Sequence, residues 1–395
     1  MPDESYIQSL FSDRVGGSKF GKDTTIYKFE KIKRAKRAAL DANPDKELFD
    51  LGVGEPDQMA DPGVVKTLQL EAEKLENRGY TDNGIDEFKI AACQYMKKVF
   101  SVEGLDPNKH INHLIGAKPG LAMTPAVFIN PGDVILMTVP GYPVMGTHAQ
   151  YLGGEVVNLP LTEENDFLPD LKAIDAGALD RAKILLLNYP NNPTGAKATE
   201  NLFKKLIAFG KKHQLLIIND NPYSFVLNNN PLSILSIDGA KETAIELNSL
   251  SKSFNMAGWR VGMLLGATPI LEEVLKVKTQ MDSGMFYGIQ QGAIAALKVS
   301  SGWFENMNEI YQKRRKLIWQ IAEALDCTFD KNTSGMFVWA KIPAGKKAEN
   351  IVDDLLYKHH IFIAPGTIFG SKGEGYIRFS LCVPEEKIKE ALDRL

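Results

Sequence analysis

The chain has 395 residues, of which 44% are hydrophobic and 24% are charged, and its formal net charge is −3. This length is enough for two domains, and the composition is typical of a folded globular protein. A net charge so close to zero argues against nucleic acid or an acidic membrane surface as a partner.

The cysteines and histidines do not form the pattern of a disulfide framework or a metal site. Cys93, Cys327 and Cys382 are far apart in the sequence, and the six histidines contain no HExxH motif. We therefore predict no metal, and we expect a reducing, cytoplasmic location. The N-terminus lacks a signal-peptide pattern and no apolar run approaches about 20 residues, so we expect no association with a membrane.

The first hundred residues predict an arm, a basic helix, a short strand and two further helices. Residues 1–27 are polar and glycine-rich, and residues 28–39 have the spacing of an amphipathic helix with a solvated basic face. Segment 48–53 predicts a strand ending at Gly54, where a glycine lets backbone approach a ligand. The helices that follow are 63–76 and 86–100, with Tyr80 in the loop between them.

The middle of the chain repeats one arrangement, in which an apolar strand runs into a turn of small or polar residues. The strands and their turns are 111–115 before Ala117 and Lys118, 133–139 before Tyr142, 184–187 before Asn192, and 215–218 before Asp220 and Tyr223. Uniformly apolar strands are typical of a parallel sheet covered on both faces. With the helices between them they predict an α/β layered sheet, whose ligands bind beyond the carboxyl ends of the strands.

Two more strands, 245–247 and 261–265, enclose the most informative stretch of the chain. Ser249, Ser251 and Lys252 follow the first strand, and Arg260 precedes the second. A lysine amine can attack a carbonyl carbon, while two hydroxyls and a guanidinium can satisfy a phosphate. Taken alone, the same residues would better suit a loop lysine beside a surface arginine. The glycines and Trp259 around Arg260, and the polar strand ends upstream, favour the functional interpretation.

The last third of the chain predicts a smaller α+β domain. Helices are expected over 269–280 and 286–325, and short strands then alternate with helices to the end of the chain. We predict three segments: an arm and helix over 1–50 that contribute to the small domain, a large domain over 51–295, and a small C-terminal domain over 296–395.

In their order and spacing these motifs resemble the class I/II pyridoxal-phosphate-dependent aminotransferases of fold type I, over nearly the whole chain. The resemblance implies a mixed, mostly parallel sheet between helices, and a pyridoxal 5′-phosphate cofactor bound covalently to Lys252. Lys252 would also move the substrate proton, Asp220 would keep the pyridine nitrogen protonated, and Tyr142 would stack on the ring. The other cofactor contacts that the resemblance implies are Asn192 and Tyr223 at the ring hydroxyl, and Ala117, Lys118, Ser249, Ser251 and Arg260 at the phosphate.

The resemblance also implies substrates and a partner. Arg378 matches the arginine that grips the substrate α-carboxylate, with Gly54 and Asn192 beside it and Tyr27 facing the side chain. Tyr80 matches a tyrosine that reaches the neighbouring subunit's phosphate, which implies a homodimer with shared active sites. The reaction implied is ping-pong transfer of an amino group from an L-amino acid to a 2-oxo acid.

Short stretches of the sequence reduce the number of candidate substrates but do not identify one. Those around Tyr142, Asn192 and Ser283 look most like enzymes assigned as LL-diaminopimelate aminotransferases, which would pair LL-diaminopimelate with 2-oxoglutarate. Ser283 is a departure, because better-defined members have an asparagine there. The alternatives are an aminotransferase for alanine, aspartate or aromatic amino acids, or a C–S lyase on the same scaffold.

Overall fold

The computed structural model describes residues 6–19 and 28–395, without the side chains of residues 28–31. The strands of the described chain are, in order, β1 (Phe49–Asp50), β2 (Ile111–Leu114), β3 (Val134–Val139), β4 (Glu155–Pro160), β5 (Ala182–Asn188), β6 (Leu216–Asn221), β7 (Ala244–Ser249), β8 (Gly262–Gly266), β9 (Thr328–Phe329), β10 (Phe337–Lys341), β11 (Ile361–Phe362), β12 (Ala364–Pro365) and β13 (Tyr376–Ser380).

The α-helices of the same residues surround these strands. They are α1 (Lys28–Ala42), α2 (Pro62–Ala72), α3 (Asp86–Phe100), α4 (Ala117–Met123), α5 (Pro125–Phe128), α6 (Val144–Tyr151), α7 (Ala176–Arg181), α8 (Glu200–His213), α9 (Leu250–Ser253), α10 (Thr268–Lys278), α11 (Tyr287–Leu297), α12 (Ser301–Ala324), α13 (Ala348–Asp354) and α14 (Glu385–Asp393). None is both long and apolar enough to cross a bilayer, among the residues that the structure covers.

A seven-stranded sheet forms the centre of the molecule, in the order β2-β8-β7-β6-β5-β3-β4. Neighbours from β4 to β7 run parallel, whereas β8 is antiparallel to both β7 and β2. Strands β3 and β6 are buried along their whole length, as expected for strands covered on both faces. The predicted fold class, a mixed and mostly parallel sheet between helices, is confirmed.

Helix α8 shows how local sequence fixes an element that covers this sheet. Thr199 precedes it, and its side chain accepts a hydrogen bond from the Leu202 backbone N–H at 3.1 Å. Glu200 lies in the first turn and Lys211, Lys212 and His213 in the last, so the charges complement the helix dipole. The sequence predicts a helix of about 14 residues ending at His213, and the structure agrees.

The C-terminal third builds a second, smaller sheet in the order β12-β13-β10-β9, with antiparallel pairing throughout. Strand β1, from near the N-terminus, pairs with β11 instead of joining the large sheet. Its register places Phe49 opposite Ile361. Strand β1 therefore contacts the C-terminal part of the chain. The domain boundaries at residues 50 and 295 remain predictions.

Three local predictions differ from the structure. The helix expected over 286–325 is two helices, α11 and α12, separated around Ser300, where serines and Gly302 favour helix less than their neighbours do. Strand β4 was not predicted, because it is a largely exposed edge strand without a continuous apolar run. Asp220 lies within β6 instead of following it.

Candidate active site

The candidate site lies at the carboxyl ends of the central strands. Asn188, the last residue of β5, is paired in register with Asp220 of β6, and Asp220 is paired with Leu247 of β7. Parallel pairing thus brings the polar ends of three strands to one edge of the sheet. A cavity of about 330 Å³ opens there, within the size range of small-ligand sites.

Most of the residues predicted for the site line this one cavity. They are Gly54, Ala117, Lys118, Tyr142, Asn192, Asp220, Tyr223, Ser249, Ser251, Lys252, Arg260 and Arg378. These residues come from the large sheet, the loop after β1 and the small C-terminal sheet, so the cavity lies where the two sheets approach each other.

Lys252 is in the short helix α9, directly after β7. Its Nζ donates a hydrogen bond to the Gly54 carbonyl oxygen at 2.6 Å. Burial lowers the pKa of Lys252, and the positive charges of Arg378 and Arg260 lower it further, against the opposing effect of Cys382 and Glu55. A lowered pKa increases the fraction of neutral amine, the form that attacks a carbonyl carbon.

Asp220 is 8% exposed. Burial, with a smaller contribution from the nearby Glu246 carboxylate, raises the pKa of Asp220 to about 7. Its Oδ1 has no hydrogen-bond partner in the described part of the chain. Because buried carboxylate oxygens are normally bonded, this oxygen indicates a ligand that brings an N–H group or a positive charge.

An anion-binding cradle lies between the start of α4 and the start of β8. Gly116 has a φ of 79°, and a Cβ there would collide with the Arg260 guanidinium. A Cβ on Gly262 would come within 2.8 Å of the Ala117 backbone nitrogen. These two glycines allow Arg260 to approach the backbone N–H groups at the start of α4, an arrangement that suits phosphate. Ser249 ends β7 opposite Gly262 and precedes α9, and its hydroxyl accepts a hydrogen bond from the Ser251 N–H at 3.1 Å.

Arg378 enters the cavity from β13. Its Nη1 donates to Asn192 Oδ1 at 2.8 Å and its Nη2 donates to the Gly52 carbonyl at 2.6 Å. The guanidinium carbon lies 3.9 Å from the centre of the Phe337 ring and 4.5 Å from that of Phe369. Burial lowers the pKa of Arg378 to about 10, so it stays protonated at neutral pH. A planar cation held this way can bind a carboxylate through two parallel hydrogen bonds.

Six lining residues are absent from the predictions made from sequence, and three of them, Asn188, Phe337 and Phe369, contact predicted site residues. The Asn188 side chain donates to the Asp220 carbonyl at 2.7 Å and accepts from the Asn192 N–H at 2.8 Å, so it braces two predicted site residues. Its position as the first polar residue after an apolar strand was an available signal. Phe337 and Phe369 line the same cavity, but no local signal identifies them, because only the packing of the C-terminal sheet brings them there.

Some predicted residues lie elsewhere. Tyr80 is 87% exposed and does not line the cavity of its own chain. Tyr27 lies outside the described residues. Lys118 lines the cavity but is an exposed residue, and Ser283 is also exposed. The described residues contain no group of three or more His, Cys, Asp or Glu side chains that could hold a metal ion.

Fold and site define a pyridoxal-phosphate-dependent transferase, and comparison with known proteins gives the family. Residues 46–395 match the model of aminotransferase class I and II, so the chain belongs to that family and is a pyridoxal-phosphate-dependent transaminase. It is 46% identical to an LL-diaminopimelate aminotransferase of Methanocaldococcus jannaschii, over 96% of this chain and 91% of the relative.

Two solved structures extend the comparison. Substrate-bound BacF of Bacillus subtilis has a TM-score of 0.90 at 32% identity, covering 97% of this chain and 96% of the other. A probable N-succinyldiaminopimelate aminotransferase of Thermus thermophilus has a TM-score of 0.86 at 33% identity, covering 93% and 98%. The residues present fit the cofactor of the family, because Asp220 has a free carboxylate oxygen, the cradle suits a phosphate and Lys252 lies in the same cavity.

Proposed function

We propose that this chain moves the amino group of an L-amino acid to a 2-oxo acid by a ping-pong mechanism in which Lys252, Asp220 and Arg378 are the principal residues. The observation that carries the proposal is that an amine, a buried carboxylate with an unpartnered oxygen and a buried guanidinium line one cavity. Each meets a different requirement of amino-group transfer. The amine attaches the cofactor covalently, the carboxylate keeps the cofactor ring protonated, and the guanidinium binds the substrate carboxylate.

We propose for these residues the cofactor-binding roles that the family resemblance implies, and their presence in one cavity supports the proposal. Asp220 would hold the proton of the pyridine nitrogen, with Asn192 and Tyr223 at the ring hydroxyl and Tyr142 against the ring face. The phosphate would be held by the backbone N–H groups of Ala117 and Lys118 and by the side chains of Ser249, Ser251 and Arg260. When bound, pyridoxal phosphate supplies an electron sink that weakens the C–H bond at the substrate Cα.

Lys252 and Arg378 would have different roles towards the substrate, proton transfer for Lys252 and binding for Arg378. Arg378 binds the α-carboxylate, next to the Gly54 backbone and Asn192, and so fixes the orientation of Cα. Once the amino group of the substrate has displaced it, Lys252 Nζ would be free to take the proton from Cα and to donate that proton again later in the transfer. Its lowered pKa favours the neutral amine that this role requires.

Reduction of the purified protein with borohydride tests the attachment site. We expect pyridoxal phosphate to be fixed on the peptide that contains Lys252, and Lys252→Ala to prevent that labelling. Label on a different lysine of the parent protein would reject this role for Lys252.

For the substrates, we propose LL-diaminopimelate as the amino donor and 2-oxoglutarate as the acceptor. The support is the 46% identity to a relative named for that donor, together with local resemblance around Tyr142 and Asn192. A distal ammonium and carboxylate need polar partners in a closed site, because an unpaired buried charge is costly. From the sequence we nominate Tyr27, Lys118 and Ser283 for this purpose, and of these Lys118 lines the cavity of its own chain.

A screen of amino donors against several 2-oxo acids tests the substrate. We expect kcat/KM to be highest for LL-diaminopimelate with 2-oxoglutarate. Faster reaction with alanine, aspartate or an aromatic donor would reject LL-diaminopimelate as the substrate, while the assignment as an aminotransferase would still hold. Release of ammonia and pyruvate from cystathionine as the main activity would instead identify a C–S lyase.

We also propose a homodimer whose active sites are shared. Tyr80 is 87% exposed in the single chain, and Leu75 and Met281 are also largely exposed, a combination that favours a protein interface. A second copy would cover these residues and receive the Tyr80 hydroxyl at its phosphate. The free thiols Cys93, Cys327 and Cys382 support our further proposal that this dimer works in the reducing cytoplasm.

Subunit exchange tests the shared site. An inactive Tyr80 variant mixed with an inactive Lys252 variant should regain activity, because one of the two sites in each hybrid dimer is then intact. If exchange is demonstrated by differently tagged subunits and activity stays absent, Tyr80 serves the site of its own chain.

A further inference from the structure

The loop that carries Tyr80 is joined to a second loop by one buried side chain. Gln290, on α11, is 1% exposed. Its Nε2 donates to Thr81 Oγ1 at 2.9 Å and to the Met285 carbonyl at 2.8 Å, and its Oε1 accepts from the Ile85 N–H at 2.9 Å. The amide therefore bonds both ends of the 81–85 segment and the loop before α11.

Direct contacts between the two loops reinforce this junction. Thr81 Oγ1 donates to the Met285 carbonyl at 2.6 Å and accepts from the Met285 N–H at 3.2 Å. Gly284 has a φ of 91°, and a Cβ there would lie 2.7 Å from Thr81 Oγ1 and would collide with the Asp82 carbonyl. The loops approach so closely that only glycine fits at this position.

The second loop is itself fixed to the body of the protein. Asp282 Oδ1 accepts from Lys278 Nζ at 2.6 Å and from the Gly284 N–H at 2.9 Å. Lys278 is fully buried at the end of α10. A continuous series of hydrogen bonds therefore connects the end of α10 to Asp282, to the loop before α11 and to Thr81. Tyr80 directly precedes Thr81.

The loop that contains Tyr80 is held by many hydrogen bonds, although the Tyr80 side chain itself is exposed. Tyr80 is 87% exposed, whereas Gln290 and Met285 beside it are buried. An exposed tyrosine on a mobile loop would lose conformational entropy on binding, and a loop held in advance avoids much of that cost.

We propose that Gln290 is a positioning residue that holds Tyr80 in place for the phosphate of the cofactor in the partner subunit. This inference rests on the proposed dimer with shared sites. Gln290 touches neither cofactor nor substrate in it, and acts through the Thr81 hydroxyl and the backbone of the Tyr80 loop.

Hybrid dimers separate this role from a general effect on folding. One subunit carries Lys252→Ala and its partner keeps Lys252, so each hybrid has one lysine-bound cofactor, and Tyr80 reaches that site from the Lys252→Ala subunit. Gln290→Leu is then placed on either subunit, and the dissociation constant of pyridoxal phosphate is measured by titrating the absorbance of the lysine-bound form.

With Gln290→Leu on the Lys252→Ala subunit, we expect affinity to fall by about 10-fold to 100-fold, the effect of losing a hydrogen bond to a charged group. With Gln290→Leu on the subunit that keeps Lys252, affinity should match the parent hybrid. Equal losses in both placements, or no loss in either, would overturn the proposal.

Three further variants complete the test. Tyr80→Phe in the same two placements reports on site sharing itself, and if it shows no asymmetry, the shared dimer and the role of Gln290 both fail. Gln291→Leu removes a neighbouring glutamine whose side chain, within the described part of the chain, bonds to Tyr287 alone, and it should be neutral in both placements. Should Gln290→Leu not fold, Gly284→Ala disturbs the same junction and must give the same asymmetry for the proposal to stand.

Discussion

At the scale of single residues, the site is built from charges that the protein leaves without opposite partners. Asp220 is 8% exposed and Arg378 is 6% exposed, and neither forms an ion pair within the described residues. A buried charge without a partner is costly. A cationic cofactor ring at Asp220 and a substrate carboxylate at Arg378 would each supply the missing opposite charge. Binding would therefore offset the free-energy cost of burying these two side chains without a partner.

The first prediction follows from the pKa of Asp220. Folding raises this pKa from 3.8 to about 7, so between these values the folded protein holds a proton that the unfolded chain has released. Stability from this residue is therefore full below about pH 4 and is lost as the pH rises towards 7. Urea denaturation of the cofactor-free protein should show the free energy of unfolding falling across this window, and Asp220→Asn should show a smaller fall. Parallel pH curves for parent and variant would contradict the raised pKa.

The second prediction concerns the geometry of Arg378. Arg378→Lys keeps the positive charge but removes the planar fork, and with it two parallel hydrogen bonds to a carboxylate. We expect KM to rise by about 10-fold to 100-fold for both the amino acid and the 2-oxo acid, as for loss of one hydrogen bond to a charged group. Steady-state kinetics would measure this. Arg315→Lys, at a half-buried arginine outside the cavity, is the matched control and should leave both KM values unchanged.

At the scale of elements, the site depends on how closely β8 approaches the turn before α4. Gly262 opens β8 and is paired in register with Leu114 of β2 and Ser249 of β7. The missing side chain leaves room for the Ala117 N–H, one of the donors proposed for the phosphate. Element packing therefore sets the shape of the anion cradle.

The third prediction tests that packing. A Cβ on Gly262 would lie 2.8 Å from the Ala117 nitrogen and 2.9 Å from the Gly116 carbonyl carbon, so Gly262→Ala must separate two pieces of backbone. We expect weaker binding of pyridoxal phosphate and a lower melting temperature. Gly258→Ala, four residues earlier, adds a Cβ with nothing within 4 Å and should change neither. Unchanged cofactor affinity in Gly262→Ala would show that the cradle tolerates this separation.

At the scale of the whole molecule, a partly buried ion pair links the loop after β1 to the long helix α12. Arg314 is 3% exposed and donates to both carboxylate oxygens of Asp57, at 2.7 Å and 2.8 Å. It also donates to the Leu381 carbonyl at 3.0 Å. Asp57 lies three residues after Gly54, whose carbonyl oxygen accepts the hydrogen bond from Lys252 Nζ. The ion pair of Asp57 with Arg314 therefore connects α12 to a segment that lines the cavity.

The fourth prediction separates the pair into its components. Arg314→Met should lower the free energy of unfolding by about 3–5 kcal/mol, because it leaves a partly buried carboxylate without its cation. The double variant Asp57→Leu with Arg314→Met should recover a large part of that loss, since no unpaired charge remains. Urea denaturation with saturating cofactor measures both. A double variant no more stable than Arg314→Met would mean that packing, and not charge, holds the two segments together.

Much of the site could be predicted because its residues follow apolar strands. The apolar runs before Asn192, Asp220 and Lys252 predict buried parallel strands, and parallel strands deliver their carboxyl ends to one edge of a sheet. The order of these motifs along the chain also matched the aminotransferase family. Strand alternation and strand ends are local properties, so a single sequence contains them.

Other features were decided only by tertiary structure. Phe337 lies against Arg378 because β10 pairs with β13, and Phe369 reaches the same guanidinium from the turn after β12. No local pattern marks either ring. The edge strand β4 exists because β3 pairs with it along six residues. Gln290 bonds to Thr81 across 209 residues of sequence. Sequence periodicity by itself determined most of the strands and helices and the polar residues that end the central strands. Contacts between distant segments depend on how whole elements pack, which no local pattern specifies.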